Sequence, residues 1–337
     1  MSFFKPIFRY LRISEFISYY SRVDKKPGLP SILMIIPRVM LSKKPVTIMT
    51  LIYRSIVVNR LPAEPSFKDS KKLPEITILI VVEEKDFYLL NKCVSQAIKH
   101  SKNKISRVVV VTPKRQVDKC RRVISNIPMK VKPELISEDM IVPVKVRQKL
   151  KKEFKDRYGW VLQQFITVGF MLKDEYNLGK PILALDADTF ISRNTAWIDN
   201  SGTQVLLRSI EYHKPYYELL NKLNKNLIQN RYSFITHHMV FQPQLFKEIF
   251  SKLGIPTLEK LAEFVIKNYS RYEKSPICVE FEIYAQYLNT YRKEKIELLK
   301  FSNISIKRNK LQLIGNEEKL AEEYSNYKSI SMHSYYD

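Results

Sequence analysis

The chain has 337 residues, of which 45% are hydrophobic and 27% are charged, values that are ordinary for a globular protein of one large or two modest domains. Its net charge of +23 predicts a partner that carries phosphate, such as nucleic acid, anionic lipid or a nucleotide. The seven glycines form neither G-x-G-x-x-G nor a P-loop, which argues against both glycine-dependent nucleotide sites. The three cysteines form no C-x-x-C pair, which argues against a disulfide framework or a zinc site and indicates a reducing compartment.

The N-terminal part of the chain is strongly basic, with eleven Lys and Arg residues against two acids in residues 1–60. The stretch MSFFKPIFRYLRISEF places apolar residues at helical spacing beside three basic ones, which predicts an amphipathic helix. This helix would lie on an anionic membrane surface or dock on the protein's own body. No apolar run reaches the roughly 20 residues of a membrane-spanning helix. We expect residues 1–73 to be a basic extension that ends in a linker at 61–73, and residues 74–337 to be one domain.

The pattern changes after residue 74 to buried strands that alternate with amphipathic helices. EITILIVVEE, ISRVVVVTPKR and PILAL are apolar runs of strand length; a helical stretch at 86–101 follows the first and a turn follows the second. The segments TQVLLRS and YSFITHHMVFQ are also predicted strands, followed by helices near 243–252, 257–270 and 280–292. The tail is predicted to be a helix with an irregular end. This alternation predicts an α/β fold with a mainly parallel mixed sheet flanked by helices.

Asp186 and Asp188 follow the buried run PILAL directly, in the segment ILALDADTF. Ligands of open α/β sheets bind at the carboxyl ends of the strands. Two acids at positions i and i+2 of an extended segment point the same way and repel unless a cation lies between them. We therefore predict that this pair binds Mg²⁺ or Mn²⁺, which in turn binds phosphate oxygens. The alternative is a pair of solvated loop acids.

Two further segments contain candidate catalytic groups. In FITHHMVFQ, His237 and His238 would point to opposite faces of a strand, so that one faces the site and the other packs in the core; we assign the catalytic role to His238. In CVEFEIYAQYL, Glu280 and Glu282 precede a helix, where acids are favoured by the helix dipole alone. Our candidate for a general base is Glu280.

The remaining candidates are polar and aromatic side chains near the ends of helices. Trp160, Gln163 and Gln164 in GWVLQQF would contact a substrate or pack under the sheet. His333 lies among aromatic residues in the tail SMHSYYD, where a histidine is usually incidental.

The ordered segments GWVLQQF, ILALDADTF, FITHHMVFQPQLF, VEFEIYAQY and a late histidine resemble the DUF6492-type glycosyltransferase group of the GT-A superfamily over about residues 75–337. The resemblance implies a GT-A-like fold and a nucleotide-sugar donor whose diphosphate binds a divalent metal held by the D-x-D motif. It assigns Asp186, Asp188 and His333 to the metal. It assigns Val82, Glu83, Asp186 and Gln164 to the nucleotide.

These observations predict a metal-dependent glycosyltransferase that uses a saccharide or lipid-linked saccharide acceptor. It would act in bacterial surface polysaccharide or lipopolysaccharide synthesis, in the cytoplasm and peripherally on the inner membrane. We expect no nucleic-acid partner, because the basic residues form no recognisable nucleic-acid-binding motif. The alternatives are a basic nucleic-acid-binding protein or a catalytically inactive membrane-associated scaffold.

Overall fold

The structure is a computed structural model that describes residues 57–69, 72–125, 131–209, 214–227, 233–268, 277, 279–309 and 317–332. The amphipathic helix expected at the N-terminus and the candidate ligand His333 lie outside the described residues.

Ten strands are described, and five of them form the central sheet. The strands are β1 (Ile76–Val81), β2 (Ile105–Thr112), β3 (Glu134–Ser137), β4 (Ile182–Leu185), β5 (Thr189–Ile191), β6 (Gln204–Arg208), β7 (His238–Phe241), β8 (Ile296–Lys300), β9 (Asn303–Ser305) and β10 (Ser329–Ser331). The central sheet has the order β3-β2-β1-β4-β7, in which the first four strands are parallel and β7 is antiparallel to β4.

The helices of the described segments cover both faces of the central sheet. They are α1 (Phe87–His100), α2 (Val117–Ser125), α3 (Glu138–Ile141), α4 (Val144–Phe154), α5 (Tyr158–Leu172), α6 (Asp174–Asn177), α7 (Lys214–Leu223), α8 (Pro243–Lys252), α9 (Leu258–Asn268), α10 (Phe281–Tyr291) and α11 (Glu317–Glu323). Side chains alternate across each strand, so Leu79 packs into the layer of α5 while Ile78 and Ile80 pack into the layer of α1. The predicted fold class, a mainly parallel mixed sheet flanked by helices, is confirmed.

The described part of the tail contains the strand β10 (Ser329–Ser331), where the sequence predicted an irregular end. Strand β10 lies between β5 and β9, antiparallel to β5 and parallel to β9. Three residues are too few for a periodic signal, and the strand is stabilised by long-range pairing with β5, which directly follows the D-x-D motif. The remaining two strands, β6 and β8, pair in parallel.

The segment predicted to be a linker contacts the domain wherever it is described. The Ser66 backbone N–H donates a hydrogen bond of 2.7 Å to Glu297 Oε1, and Glu64 pairs with Lys328 at 2.8 Å. The N–H of Lys300 donates to the carbonyl of Pro62 at 3.0 Å. Residues 61–69 therefore lie along the β6–β8 sheet. Within the described segments, no helix has the length and apolar character needed to cross a membrane.

Candidate active site

The carboxyl ends of the parallel strands meet at one edge of the sheet, where acidic residues follow three of them. Glu83 lies two residues after β1, Glu138 directly follows β3, and Asp186 directly follows β4. The segment from Asp186 to Asp188 is a turn between β4 and β5, closed by a hydrogen bond of 3.0 Å from Thr189 N–H to the Asp186 carbonyl. The turn replaces the extended segment that the sequence predicted, and it gives the two acids different neighbours.

The Asp186 carboxylate is held by two side chains from other elements. Gln163 Nε2, on α5, donates to Asp186 Oδ1 at 3.1 Å. His237 Nδ1 lies 3.1 Å from Asp186 Oδ2. The backbone of the same two residues is also joined, since Asp186 N–H donates to the His237 carbonyl at 2.9 Å. Each oxygen of this partly exposed acid therefore has a fixed partner on the protein side.

His237 and His238 have different environments, and His237 is the one that contacts Asp186. His237 precedes β7 with φ of 61°, in the left-handed region that most residues avoid, so its side chain does not follow the strand alternation. His238 is buried, with Nε2 3.1 Å from Ser329 Oγ and its ring edge-on to Trp197 at 5.3 Å. Burial and the neighbouring His237 lower the His238 pKa to about 3, so it is neutral at ordinary pH. This environment favours a structural role for His238, which the sequence assigned to catalysis.

Asp188 lies beside an arginine that also binds a third acid. Arg308 Nη2 is 3.9 Å from Asp188 Oδ2 and forms an ion pair with Asp86, which lies before α1. Arg308 Nε donates to the Met332 carbonyl at 2.9 Å, and Met332 N–H donates to the Asp188 carbonyl at 2.8 Å. Burial raises the pKa of Asp86, and the charge of Asp188 raises it further against the opposing effect of Arg308. The arrangement joins the D-x-D turn, the β1–α1 loop and the end of β10.

Glu280 lies half-buried at the N-terminus of α10, close enough to Asp186 for their charges to interact. Burial raises the Glu280 pKa to about 8, and the charges of Asp186 and Glu282 add to this effect. A carboxyl group with such a pKa exchanges its proton near neutral pH, as a general base requires. The position and the pKa of Glu280 are compatible with the catalytic role that the sequence assigned to it.

Glu282, in contrast, is fully buried and structural. Its Oε1 accepts hydrogen bonds from Ser233 Oγ at 2.8 Å and Phe234 N–H at 2.9 Å, and its Oε2 accepts one from Gln286 at 3.0 Å. It thereby fixes the segment that leads to the two histidines.

Gln164, which the resemblance assigned to the nucleotide, is buried and bonded to backbone groups. Its Nε2 donates to the Ile277 carbonyl at 2.9 Å, and its Oε1 accepts from Val279 N–H at 3.0 Å. The nitrogen and the oxygen of the Gln164 side-chain amide therefore both bind the segment that precedes Glu280. The neighbouring Gln163 is the glutamine that reaches the D-x-D motif.

Val82 and Glu83, which follow β1, differ in exposure. Val82 is buried, and its backbone N–H donates to the Val111 carbonyl at 2.9 Å. Glu83 is exposed, and a Cβ at Gly159 would lie 3.5 Å from its Oε1. The start of α5 is therefore next to the Glu83 carboxylate, and a partly exposed Trp160 follows one residue later.

The carboxylates of Asp186 and Asp188 fit the first two ligands of a hard divalent cation, because both lie at the strand edge and offer oxygen donors. In the described segments, no three His, Cys, Asp or Glu side chains converge as a complete ligand set. Met332 is the last described residue, and its N–H donates to Asp188; His333 follows it in the sequence. A third protein ligand would have to come from outside the described residues.

Three contributors to the site were not predicted as such from the sequence: Asp86, Arg308 and the contact of Gln163 with Asp186. Asp86 and Arg308 are 222 residues apart and are ordinary charged residues in a chain rich in them. Gln163 lies in GWVLQQF, which was singled out, but helical periodicity alone does not tell which of two adjacent glutamines faces a site.

Comparisons with known proteins give resemblances to solved glycosyltransferase structures. Xyloside xylosyltransferase 1 from mouse has 10% identity and a TM-score of 0.42, over 77% of this chain and 98% of the other. The mannosyltransferase Ktr4p from S. cerevisiae, in complex with GDP, has 16% identity and a TM-score of 0.48, over 74% and 78%. Core-mannan synthase A from Aspergillus fumigatus, in its Mn/GDP form, has 8% identity and a TM-score of 0.43, over 72% and 76%.

By sequence, no family profile and no curated protein matches the chain. Identities of 16% or less and TM-scores below 0.5 leave the reaction and its substrates to be argued from the residues of this chain.

Proposed function

We propose that the protein is a metal-dependent glycosyltransferase that moves a sugar from a nucleotide-sugar donor to a saccharide or lipid-linked saccharide. The observation that carries the proposal is the pair Asp186 and Asp188 at the carboxyl end of β4, with Glu280 beside it. Acids at this edge, in a chain without a glycine-rich phosphate loop, suit a nucleotide diphosphate bound through a cation.

Asp186 and Asp188 would hold Mn²⁺ or Mg²⁺, with His333 as a further ligand. When bound, the cation would neutralise the charge of the departing diphosphate. Gln163 and His237 would keep Asp186 in one orientation, since each binds a different oxygen of its carboxylate. The main chain at Val82 and the Glu83 side chain would contact the nucleotide.

Glu280 would accept the proton of the acceptor hydroxyl if the reaction inverts the anomeric configuration, because its pKa of about 8 suits proton exchange near neutral pH. A retaining reaction would need no such base. We move the catalytic assignment from His238 to His237, which contacts Asp186, and assign Gln164 to the support of the segment before Glu280.

The location of the protein in the cell is part of the same proposal. A chain with net charge +23 would associate peripherally with the anionic inner membrane of a bacterium, where lipid-linked acceptors of surface polysaccharide or lipopolysaccharide lie.

A thermal-shift screen of nucleotide sugars, each with and without Mn²⁺, tests the proposal. We expect one class of nucleotide sugar to raise the melting temperature only when Mn²⁺ is present, because binding to the folded state stabilises it by mass action. No shift with any donor, together with a shift from oligonucleotides alone, would contradict it.

A further inference from the structure

The outer face of α4 is a continuous basic surface. The helix buries Val146, Leu150 and Phe154, which recur every four residues and pack in the core. Four exposed lysines lie on the opposite arc: Lys145, Lys149, Lys151 and Lys152. Lys155 and Arg157 extend the surface into the turn before α5, and Asp156 is the one exposed acid in residues 144–157.

The four lysines lie together on one helix face, and four other exposed lysines, whose charge is paired, provide the comparison. Lys104, Lys119, Lys252 and Lys260 each form an ion pair with a nearby acid. Over the segments that the structure describes, no carboxylate pairs with any of the four α4 lysines. Arg147, on the same helix, is turned inward and binds Asp139 at 3.0 Å. The outer face of α4 therefore presents net positive charge; Glu153, on the same helix, is partly buried.

Two exposed apolar side chains lie at the beginning of this surface. Val144, on the exposed arc of α4, is 54% exposed, and Met140, four residues earlier, is 57% exposed. Apolar side chains next to lysines with long aliphatic stems are typical of helices that lie in a membrane interface.

We propose that the outer face of α4, with Val144 and Met140 at its edge, docks on an anionic lipid surface. Its charge is complementary to phospholipid headgroups, and its exposed apolar residues can enter the headgroup layer. The exposed arc of α4 itself presents no aromatic ring on which a base could stack, and Arg157, in the turn that follows, is the one exposed arginine of the surface. A lipid surface is therefore the occupant that these side chains favour.

Docking through α4 would bring the carboxyl edge of the central sheet near the membrane. The helix is preceded by α3, which begins at the carboxyl end of β3, and followed by α5, whose Gln163 bonds to Asp186. Both neighbours lie at the edge that contains Asp186 and Glu83. This orientation would place the site near a lipid-linked acceptor, an argument that rests on the proposed function. The proposed contact between α4 and lipid is independent of that function.

Co-sedimentation of the full chain with vesicles tests the proposal. The vesicles are made of phosphatidylcholine, with or without phosphatidylglycerol. The test variant changes the four α4 lysines to glutamine (Lys145→Gln, Lys149→Gln, Lys151→Gln, Lys152→Gln). The matched control changes Lys104, Lys119, Lys252 and Lys260 to glutamine, so both proteins lose the same charge and keep the basic N-terminal segment.

We expect the α4 variant to bind the anionic vesicles about 600-fold more weakly, from roughly fivefold for each of the four lysines, and the control to lose less than about fivefold. Val144→Ser should also weaken binding, while Leu178→Ser, at a residue that is 61% exposed elsewhere, should not. Equal losses in the two lysine variants, or wild-type binding by the α4 variant, would overturn the proposal. RNA binding is measured on the same proteins; an α4 variant that loses RNA binding but keeps its vesicle binding would also overturn the proposal.

The same proteins are tested with nucleotide sugar and Mn²⁺ in a thermal-shift assay. The lysines of α4 lie outside the site, so both variants should keep the donor-dependent shift. If wild type shows no donor-dependent shift, the transferase proposal is contradicted. The vesicle result still tests whether α4 docks on lipid.

Discussion

His237 Nδ1 lies 3.1 Å from Asp186 Oδ2, and the backbone of His237 accepts a hydrogen bond from the backbone of Asp186. The contact depends on the left-handed conformation of His237, which lies just before β7 and turns its ring out of the strand alternation. The first acid of the D-x-D motif is thus fixed by the residue that precedes β7, the antiparallel neighbour of β4.

Asparagine substitutions should separate the roles of the two histidines. For His237→Asn we expect a free energy of unfolding within about 0.5 kcal/mol of wild type, because asparagine tolerates φ of 61°. Its catalytic rate should fall about 10- to 100-fold because Asp186 loses a partner. His238→Asn should cost about 2 kcal/mol or more, since it leaves a cavity beside Trp197. Urea unfolding measures the free energy of unfolding, and donor turnover measures the catalytic rate. A stability loss at His237→Asn with a rate loss at His238→Asn would restore His238 as the catalytic candidate.

The raised pKa of Glu280 predicts a pH-dependent stability. The folded protein holds this proton up to about pH 8, whereas the ordinary value is 4.5, so the folded state binds more protons between these two values. The free energy of unfolding should therefore fall as pH rises from about 4.5 to about 8. Glu280→Gln, which is neutral at every pH, should be more stable than wild type at pH 9 by up to about 5 kcal/mol and equal to it near pH 4.

The same group predicts a pH profile for an inverting reaction. The rate constant kcat/KM should rise with pH toward about pH 8 as Glu280 loses its proton, and Glu280→Gln should lose the rise and most of the activity. Full activity in Glu280→Gln would mean that the reaction needs no base at this position.

Arg308 offsets the charges of Asp86 and Asp188, all three of which have little exposure. Arg308→Gln should reduce the free energy of unfolding by about 3 kcal/mol, because it leaves two acids near each other without their cation. The double variant Asp86→Asn, Arg308→Gln should regain part of this loss. Mn²⁺ should stabilise Arg308→Gln more than wild type. The exposed pair Lys252–Glu248 provides the control, and Lys252→Gln should cost less than about 1 kcal/mol.

The adjacent glutamines of α5 should respond differently to alanine. Gln164→Ala removes both hydrogen bonds to the segment before Glu280 and leaves buried backbone groups without them, so it should cost about 2–3 kcal/mol of stability. Gln163→Ala removes one bond from a partly exposed acid and should cost less than about 1 kcal/mol, with a larger effect on donor turnover. A larger stability loss at Gln163 would contradict the division of roles.

The sequence predicted the parallel strands and the position of Asp186 because long apolar runs specify a buried sheet, and the residue after such a run lies at its carboxyl edge. It did not predict β5, β8, β9 and β10; β5, β9 and β10 are three residues long, and all four depend on partners far along the chain. Its assignment of catalysis to His238 differs from the role we propose for His237, because strand alternation gives no sign of a single residue with positive φ.

The partners of the two acids could not be predicted for a related reason. Gln163 and Gln164 are adjacent and chemically identical, and only tertiary packing distinguishes them. Arg308 is one of 57 basic residues, so its pairing with Asp86 required the fold.

The most direct test of the account compares wild type with Asp188→Asn in a donor hydrolysis or transfer assay with Mn²⁺, using the donor found by thermal shift. The account predicts Mn²⁺-dependent release of the nucleotide by wild type and a loss of at least about 100-fold in Asp188→Asn, with the fold retained. Wild-type activity in Asp188→Asn, or equal activity with and without Mn²⁺, would contradict it.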